Sequence, residues 1–216
     1  MTMRTFREYM RQETLEQVRL RLMPKSRGDD RFARRLAPDL VVSARVGSTR
    51  NGHLATDNAW LDQTSTEEVW KVATMNTSVE LLVADKHLRT LDERVWTLTS
   101  SSYSTSVLVT MLDEHVPVPE GRQLDLEGGV LVSVPTQRTI VFGALGGRGS
   151  FLGNVHKMIG RCYDLMDSPD AVSQSVYLVD RSGVERVARV VGEGDDAKLV
   201  LSASAELHRR VQQGEL

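Results

Sequence analysis

The chain has 216 residues, with 27 Lys/Arg against 29 Asp/Glu and an apolar content of 40%. That composition, with Gly counted as apolar and Tyr left out, is ordinary for a globular chain and excludes wholesale disorder. The single cysteine, Cys162, excludes an internal disulfide framework. No run of 18 apolar residues offers a membrane-spanning helix.

Charge is uneven along the chain. The first 50 residues carry 12 Lys/Arg and 6 Asp/Glu, while the other 166 carry 15 and 23. A basic segment beside an acidic body either docks on that body or reaches for an acidic partner. The opening Met-Thr-Met-Arg-Thr-Phe-Arg-Glu lacks the apolar centre of a secretory signal, so the expected location is cytoplasmic.

In chain order, the spacing of Phe6, Met10, Leu15, Val18 and Leu22 predicts a helix over residues 3–22, ended by Pro24. Residues 24–38 are polar, bounded by prolines, and read as a connector. Residues 1–38 are therefore expected to form a basic helical arm, and residues 39–216 a single α+β domain. Leu40 to Val46 reads as a strand, followed by the hairpin dipeptide Asn51-Gly52. Ser65-Thr66-Glu67-Glu68 is a capping box, with Val69, Trp70, Val72 and Ala73 on the buried side of its helix.

Further on, Val79 to Ala84 and Val95 to Thr99 read as strands, with Leu88 and Leu91 anchoring a loop between them. Ser100 to Ser102 then precede a helix carrying Tyr103, Val107, Leu108, Met111 and Leu112 on one face. Gly129 to Val134 and Arg138 to Gly143 form the next strand pair, with Pro135 expected to open a tight turn. A helix follows, with Leu152, Val155, Ile159, Cys162 and Met166 as its stripe. The last unit is a meander of strands at Val176 to Asp180, Val184 to Val191 and Lys198 to Leu201, closed by a helix from Ala205 to Gln213. Strands joined by such short turns are antiparallel neighbours. The expected fold is therefore α+β, mainly antiparallel sheets built from β-hairpins with helices packed on one face.

The motifs that carry chemistry are sparse. His53, His87, His115, His156 and His208 never stand three or four apart, and no metal or cofactor is expected. Cys162 sits on an apolar helix face and reads as a small buried hydrophobe. The serine run 100–106 contains no nucleophile elbow, and its serines suit helix capping. The loop Gly146-Gly147-Arg148-Gly149-Ser150 leads from a strand into a helix. Its amides and Arg148 could hold a phosphate-bearing ligand, although it lacks the lysine of a phosphate-binding loop.

Three stretches together resemble the YtpQ-like family of bacterial proteins, a domain of unknown function. They are Ser65-Thr66-Glu67-Glu68-Val69 with Ala73 and Asn76; Val83-Ala84-Asp85 with Tyr103-Ser104-Thr105-Ser106; and Val130 to Pro135 with Ile140 to Gly143. The resemblance spans roughly residues 65–190. It implies an α+β fold in a bacterial cytosolic protein and no catalytic residues. The sequence departs from the family after the proline, where Thr136-Gln137-Arg138 stands in place of a turn with an acidic residue.

The absence of a catalytic set, with a basic arm on an acidic body, leads to a non-enzymatic interaction, adaptor or regulatory module that binds another protein or a second copy of itself. Arg4, Arg7, Arg11, Arg19, Arg34 and Arg35 are the expected partner-binding residues. The alternatives are a phosphate-bearing ligand at residues 146–150, with or without weak enzymatic activity, and nucleic-acid binding through the same arginines.

Overall fold

The computed structural model describes residues 3–27, 31–46, 61, 64–92, 94–112, 126–145, 150–192, 196–202 and 204–213. The fold is α+β. Its elements begin with helix α1 (Met3–Gln17), strand β1 (Val18–Pro24), the short β2 (Ala33–Arg35), β3 (Leu40–Val46) and helix α2 (Thr66–Val83). Strands β4 (Lys86–Asp92), β5 (Val95–Ser100), β6 (Val130–Thr136) and β7 (Thr139–Ala144) follow, then helix α3 (Ser150–Tyr163). Strands β8 (Ser175–Asp180), β9 (Gly183–Val191) and β10 (Lys198–Leu201) precede the closing helix α4 (Ala205–Gln212).

Two antiparallel sheets result. The small one has the order β1-β3-β2, and the large one the order β10-β9-β8-β6-β7-β5-β4. They face each other across one core. Val18, Leu20, Leu22, Leu40, Val42 and Ala44 of the small sheet meet Trp96, Leu98, Val132, Ile140, Phe142 and Tyr177 of the large one. Full burial of each such side chain contributes roughly 1.5–3 kcal/mol. Trp96 and Phe142 stack with ring centroids 5.6 Å apart.

The opposite face of the large sheet carries a second core. There Leu131, Val141, Val176 and Leu178 pack under Phe151, Val155, Met158 and Ile159 of α3, and Leu207 of α4 joins them. Leu152, expected on the stripe of α3, is 53% exposed, and Phe151 and Met158 take the buried side.

Several local expectations give way. Residues 18–24 are a strand, because Val-Arg-Leu-Arg-Leu alternates with period two and the leucines enter the core. This strand hydrogen-bonds β3 along its whole length, from Val18 opposite Val46 to Pro24 opposite Leu40. A boundary at residue 38 therefore cuts through a sheet, and the N-terminal segment belongs to the body.

Residues 79–83 continue α2, and Leu88 and Leu91 lie in a strand and not in a loop. β-Branched residues do not end a helix whose other side is packed; tertiary contact outweighs their propensity. The serine-rich stretch forms a 3-10 segment over Thr105–Thr110 in place of an α-helix. Pro135 lies inside β6, where the register with β7 shifts between Ser133 and Thr136, and Gln137 and Arg138 make the turn. A bulge is one of the few strand positions where the missing proline N–H is harmless. The Asn51-Gly52 hairpin lies outside the described residues.

Candidate functional site

Among the described residues, the junction between the small sheet and α2 gathers a connected set of polar side chains. β1 is an edge strand, and α2 lies along its open side. The Leu20 amide donates to Thr77 Oγ1 at 2.8 Å, and Asn76 Nδ2 donates to the Val18 carbonyl at 3.1 Å and the Leu15 carbonyl at 3.0 Å. Helix side chains thus satisfy backbone groups that a neighbouring strand would otherwise take.

One turn further along α2, Glu80 receives two arginines from β1. Arg19 Nε donates to Glu80 Oε2 at 3.1 Å, and Arg21 Nη1 lies 3.9 Å from Glu80 Oε1. The Ser102 hydroxyl donates to the same Oε1, and Arg21 also donates to Ser104 Oγ. The segment is self-braced: the Ser104 amide donates to Ser102 Oγ at 2.9 Å and the Ser102 amide to Ser100 Oγ at 3.1 Å.

Burial governs the electrostatics here. The Arg21 side chain is 4% exposed, and its pKa is lowered, first by loss of solvent, with Glu80 opposing and Arg19 reinforcing the effect. Gln137, at the β6–β7 turn, donates to the Leu22 carbonyl and accepts from Ser106 Oγ at 3.2 Å. At the far end of the small sheet, Asp39 Oδ2 accepts from Ser175 Oγ at 2.8 Å and lies 3.3 Å from Arg186 Nη1.

This arrangement can clamp two sheets together, but it presents no reactive group. Ser102 is 5% exposed and Ser104 is fully buried, and the Glu80 carboxylate is occupied by two guanidiniums. Cys162 is also fully buried, and burial pushes its thiol up to about 12. Among the described residues, no three His, Cys, Asp or Glu side chains converge in a way that could hold a metal ion.

The arginines expected to bind a partner are dispersed, and three of them turn inward onto α2. Arg11 forms a two-pronged pair with Glu68 at 3.0 and 3.1 Å and donates to Thr64 Oγ1 at 3.0 Å. Arg19 is held by Glu80 and by the carbonyls of Glu16 and Val18. Arg34 lies over the Trp70 ring, 4.0 Å from its centroid. Arg35 donates to the Ala37 carbonyl at 3.4 Å. Arg4 and Arg7 fall in α1, but their side chains lie outside the described residues.

The capping box is half realised. Ser65 Oγ accepts from the Glu68 amide at 3.1 Å, whereas the Glu68 carboxylate turns to Arg11 instead of reaching back. Gly146, Gly147, Arg148 and Gly149 lie outside the described residues, and Ser150 is known only as the first residue of α3.

Sequence reasoning missed Arg21, Glu80, Ser102 and Ser104. The available signal was the alternation around Arg19 and Arg21, which puts both arginines on one face of a strand.

What lies on the outside of α2 is equally distinctive. Met75, Val79, Leu82 and Val83 are 61%, 56%, 67% and 78% exposed. They recur at the four- and three-residue spacing that lines one helix face. Towards the start of the helix the exposed side is charged, with Glu67, Glu68 and Lys71. Past its end come Lys86, His87 and Arg89 of β4, the last two exposed.

No family model, curated protein or solved structure matches the chain. Among the described residues, no helix is long and apolar enough to cross a membrane.

Proposed function

We propose that the protein is a non-enzymatic cytosolic adaptor or regulatory module that binds another protein through the outer face of α2. The observation that supports this reading is the apolar stripe Met75, Val79, Leu82 and Val83, exposed on a helix whose inner face is fully engaged. A contiguous exposed apolar patch beside polar surroundings is a common mark of an interaction site. Charge indicates the occupant. The apolar end of the stripe runs out past Asp85 into Lys86, His87 and Arg89, a run with a net basic balance, so the complementary partner is an amphipathic segment with an acidic end.

The N-terminal arginines take a different role in this reading. By holding Glu68, Glu80 and Trp70 they fix α2 in place and leave its outer face to the partner. The resemblance of residues 65–190 to the YtpQ-like family carries over no catalytic residues and leaves this reading open.

The test uses two synthetic amphipathic helical peptides, identical in their leucines but carrying glutamates in one and lysines in the other. Amide shift mapping on the full chain is expected to locate the acidic peptide on Met75, Val79, Leu82 and Val83, with Leu82→Lys abolishing the effect. Shifts elsewhere, or equal response to the basic peptide, would overturn the reading.

A further inference from the structure

The large sheet ends in two edges of opposite character. One edge, β4, carries Lys86, His87, Arg89 and Asp92. Charges of that kind deter addition of a further strand. The other edge, β10, reads Lys-Leu-Val-Leu, and all four residues are exposed. Leu199, Val200 and Leu201 are 41%, 38% and 48% exposed, and β10 is the terminal strand of the sheet, bonded only to β9 within it. A short apolar edge strand open on both faces is a template for pairing.

We propose that this edge joins a second copy of the same chain, with β10 running antiparallel to the partner's β10 about a two-fold axis at Val200. Such an axis stands normal to the sheet and keeps each face continuous across the seam. A residue then opposes one of its own face. Val200 meets the partner's Val200, Leu199 meets the partner's Leu201, and Lys198 meets the partner's Ser202.

The faces agree with this register. Leu199 and Leu201 lie opposite Val190 and Ala188 of β9. Ala188 belongs to the core beneath α3, and Val190 packs against it. The new leucine pairs would extend that core across the seam. On the other face the valine pair is flanked by Arg189 of each copy.

Apolar match and closure select this partner over its competitor. Pairing β10 with β4 of another copy would set its three apolar residues against a strand that carries Lys86, His87, Arg89 and Asp92, and it would leave free edges at both ends for further growth. Self-pairing places the one charged side chain of β10 opposite a serine and closes the assembly at two copies. A four-residue seam is small, so the dimer is weak and forms with rising concentration.

Sedimentation of the full chain over about a hundredfold range of concentration is the test. The wild type is expected to pass from monomer to dimer. Val200→Lys, which sets two ammonium groups against each other at the axis, is expected to raise the dissociation constant by about tenfold or more. Val200→Thr is expected to retain the dimer, and the thermal midpoint of each variant reports whether it has folded. Leu199→Lys supplies an independent break should Val200→Lys fail to fold. A chain that stays monomeric throughout overturns the proposal. So does a dimer indifferent to both lysine variants, or one broken only by Leu82→Lys on α2. The last result would place self-association on the proposed docking face, so the two proposals fail separately.

Discussion

Thr77 and Leu20 are 57 residues apart in sequence, yet the Thr77 hydroxyl oxygen accepts the Leu20 amide at 2.8 Å, with both groups buried. This bond closes the open edge of β1 without another strand. Thr77→Val keeps the shape and removes the acceptor, leaving a buried amide unsatisfied. The expected cost is about 1–3 kcal/mol in urea unfolding. Thr77→Ser should recover most of it.

Glu80 is the carboxylate shared by Arg19 and Arg21. In Glu80→Gln both guanidiniums lose their counter-charge, and Arg21 is almost wholly buried. Breaking one side of such a buried cluster is expected to destabilise by about 3–5 kcal/mol. Arg19→Ala should cost clearly less, because Arg21 still balances the carboxylate. A loss under about 1 kcal/mol for Glu80→Gln, as seen for exposed pairs, would show the cluster to be solvated and incidental.

Cys162 provides a probe of the core beneath α3. Burial, with smaller opposing effects from Ser133 and Arg161, pushes its thiol up to about 12. The native protein at neutral pH should therefore resist iodoacetamide, with labelling complete in denaturant. The sign of the linkage follows from the raised pKa. The contribution is full below the unfolded value of about 8.5 and is lost as the pH climbs towards the folded value. Fast labelling under native conditions would contradict the packing described.

Asp180 closes the β8–β9 turn. Its Oδ1 accepts from the Ser182 hydroxyl at 2.5 Å, the Ser182 amide at 2.7 Å and the Gly183 amide at 3.2 Å. Gly183 has a φ of +145°, a conformation that side chains rarely adopt. The Ser182 hydroxyl above all holds the Asp180 carboxyl below the usual carboxylate range; burial opposes it, and the Ser182 and Gly183 amides and Arg210 add smaller lowering effects. A depressed pKa means stability that is present above the unfolded value of about 3.9 and is lost as the pH falls through the folded value. An NMR titration should show Asp180 titrating low, and Ser182→Ala should bring it back upward.

Local pattern carried much of this fold in readable form. Alternation at Leu40 to Val46, and the short β-branched, apolar runs at Val130 to Val134 and Val176 to Asp180, mark strands, the latter two buried on both faces. Ser65 marks the start of α2 because its hydroxyl meets an orphan amide within the same turn. The burial of Cys162 follows from the apolar side of its helix. Such features depend on neighbours a few residues away, and a single sequence contains them in full.

Other features depend on what arrives from a distance. Residues 18–24 and 79–83 suit either helix or strand locally; pairing of β1 with β3 and packing of α2 against the β1 edge decide between them. The roles of Arg11, Arg19 and Arg21 were open for the same reason. Their charge is written in the chain, but whether it faces solvent or a carboxylate depends on Glu68 and Glu80, 57 to 61 residues away. Composition makes this a folded, basic-headed chain, and local pattern makes it α+β. Only the tertiary structure turns its basic segment inward and leaves two apolar surfaces, the outer side of α2 and the β10 edge, facing out.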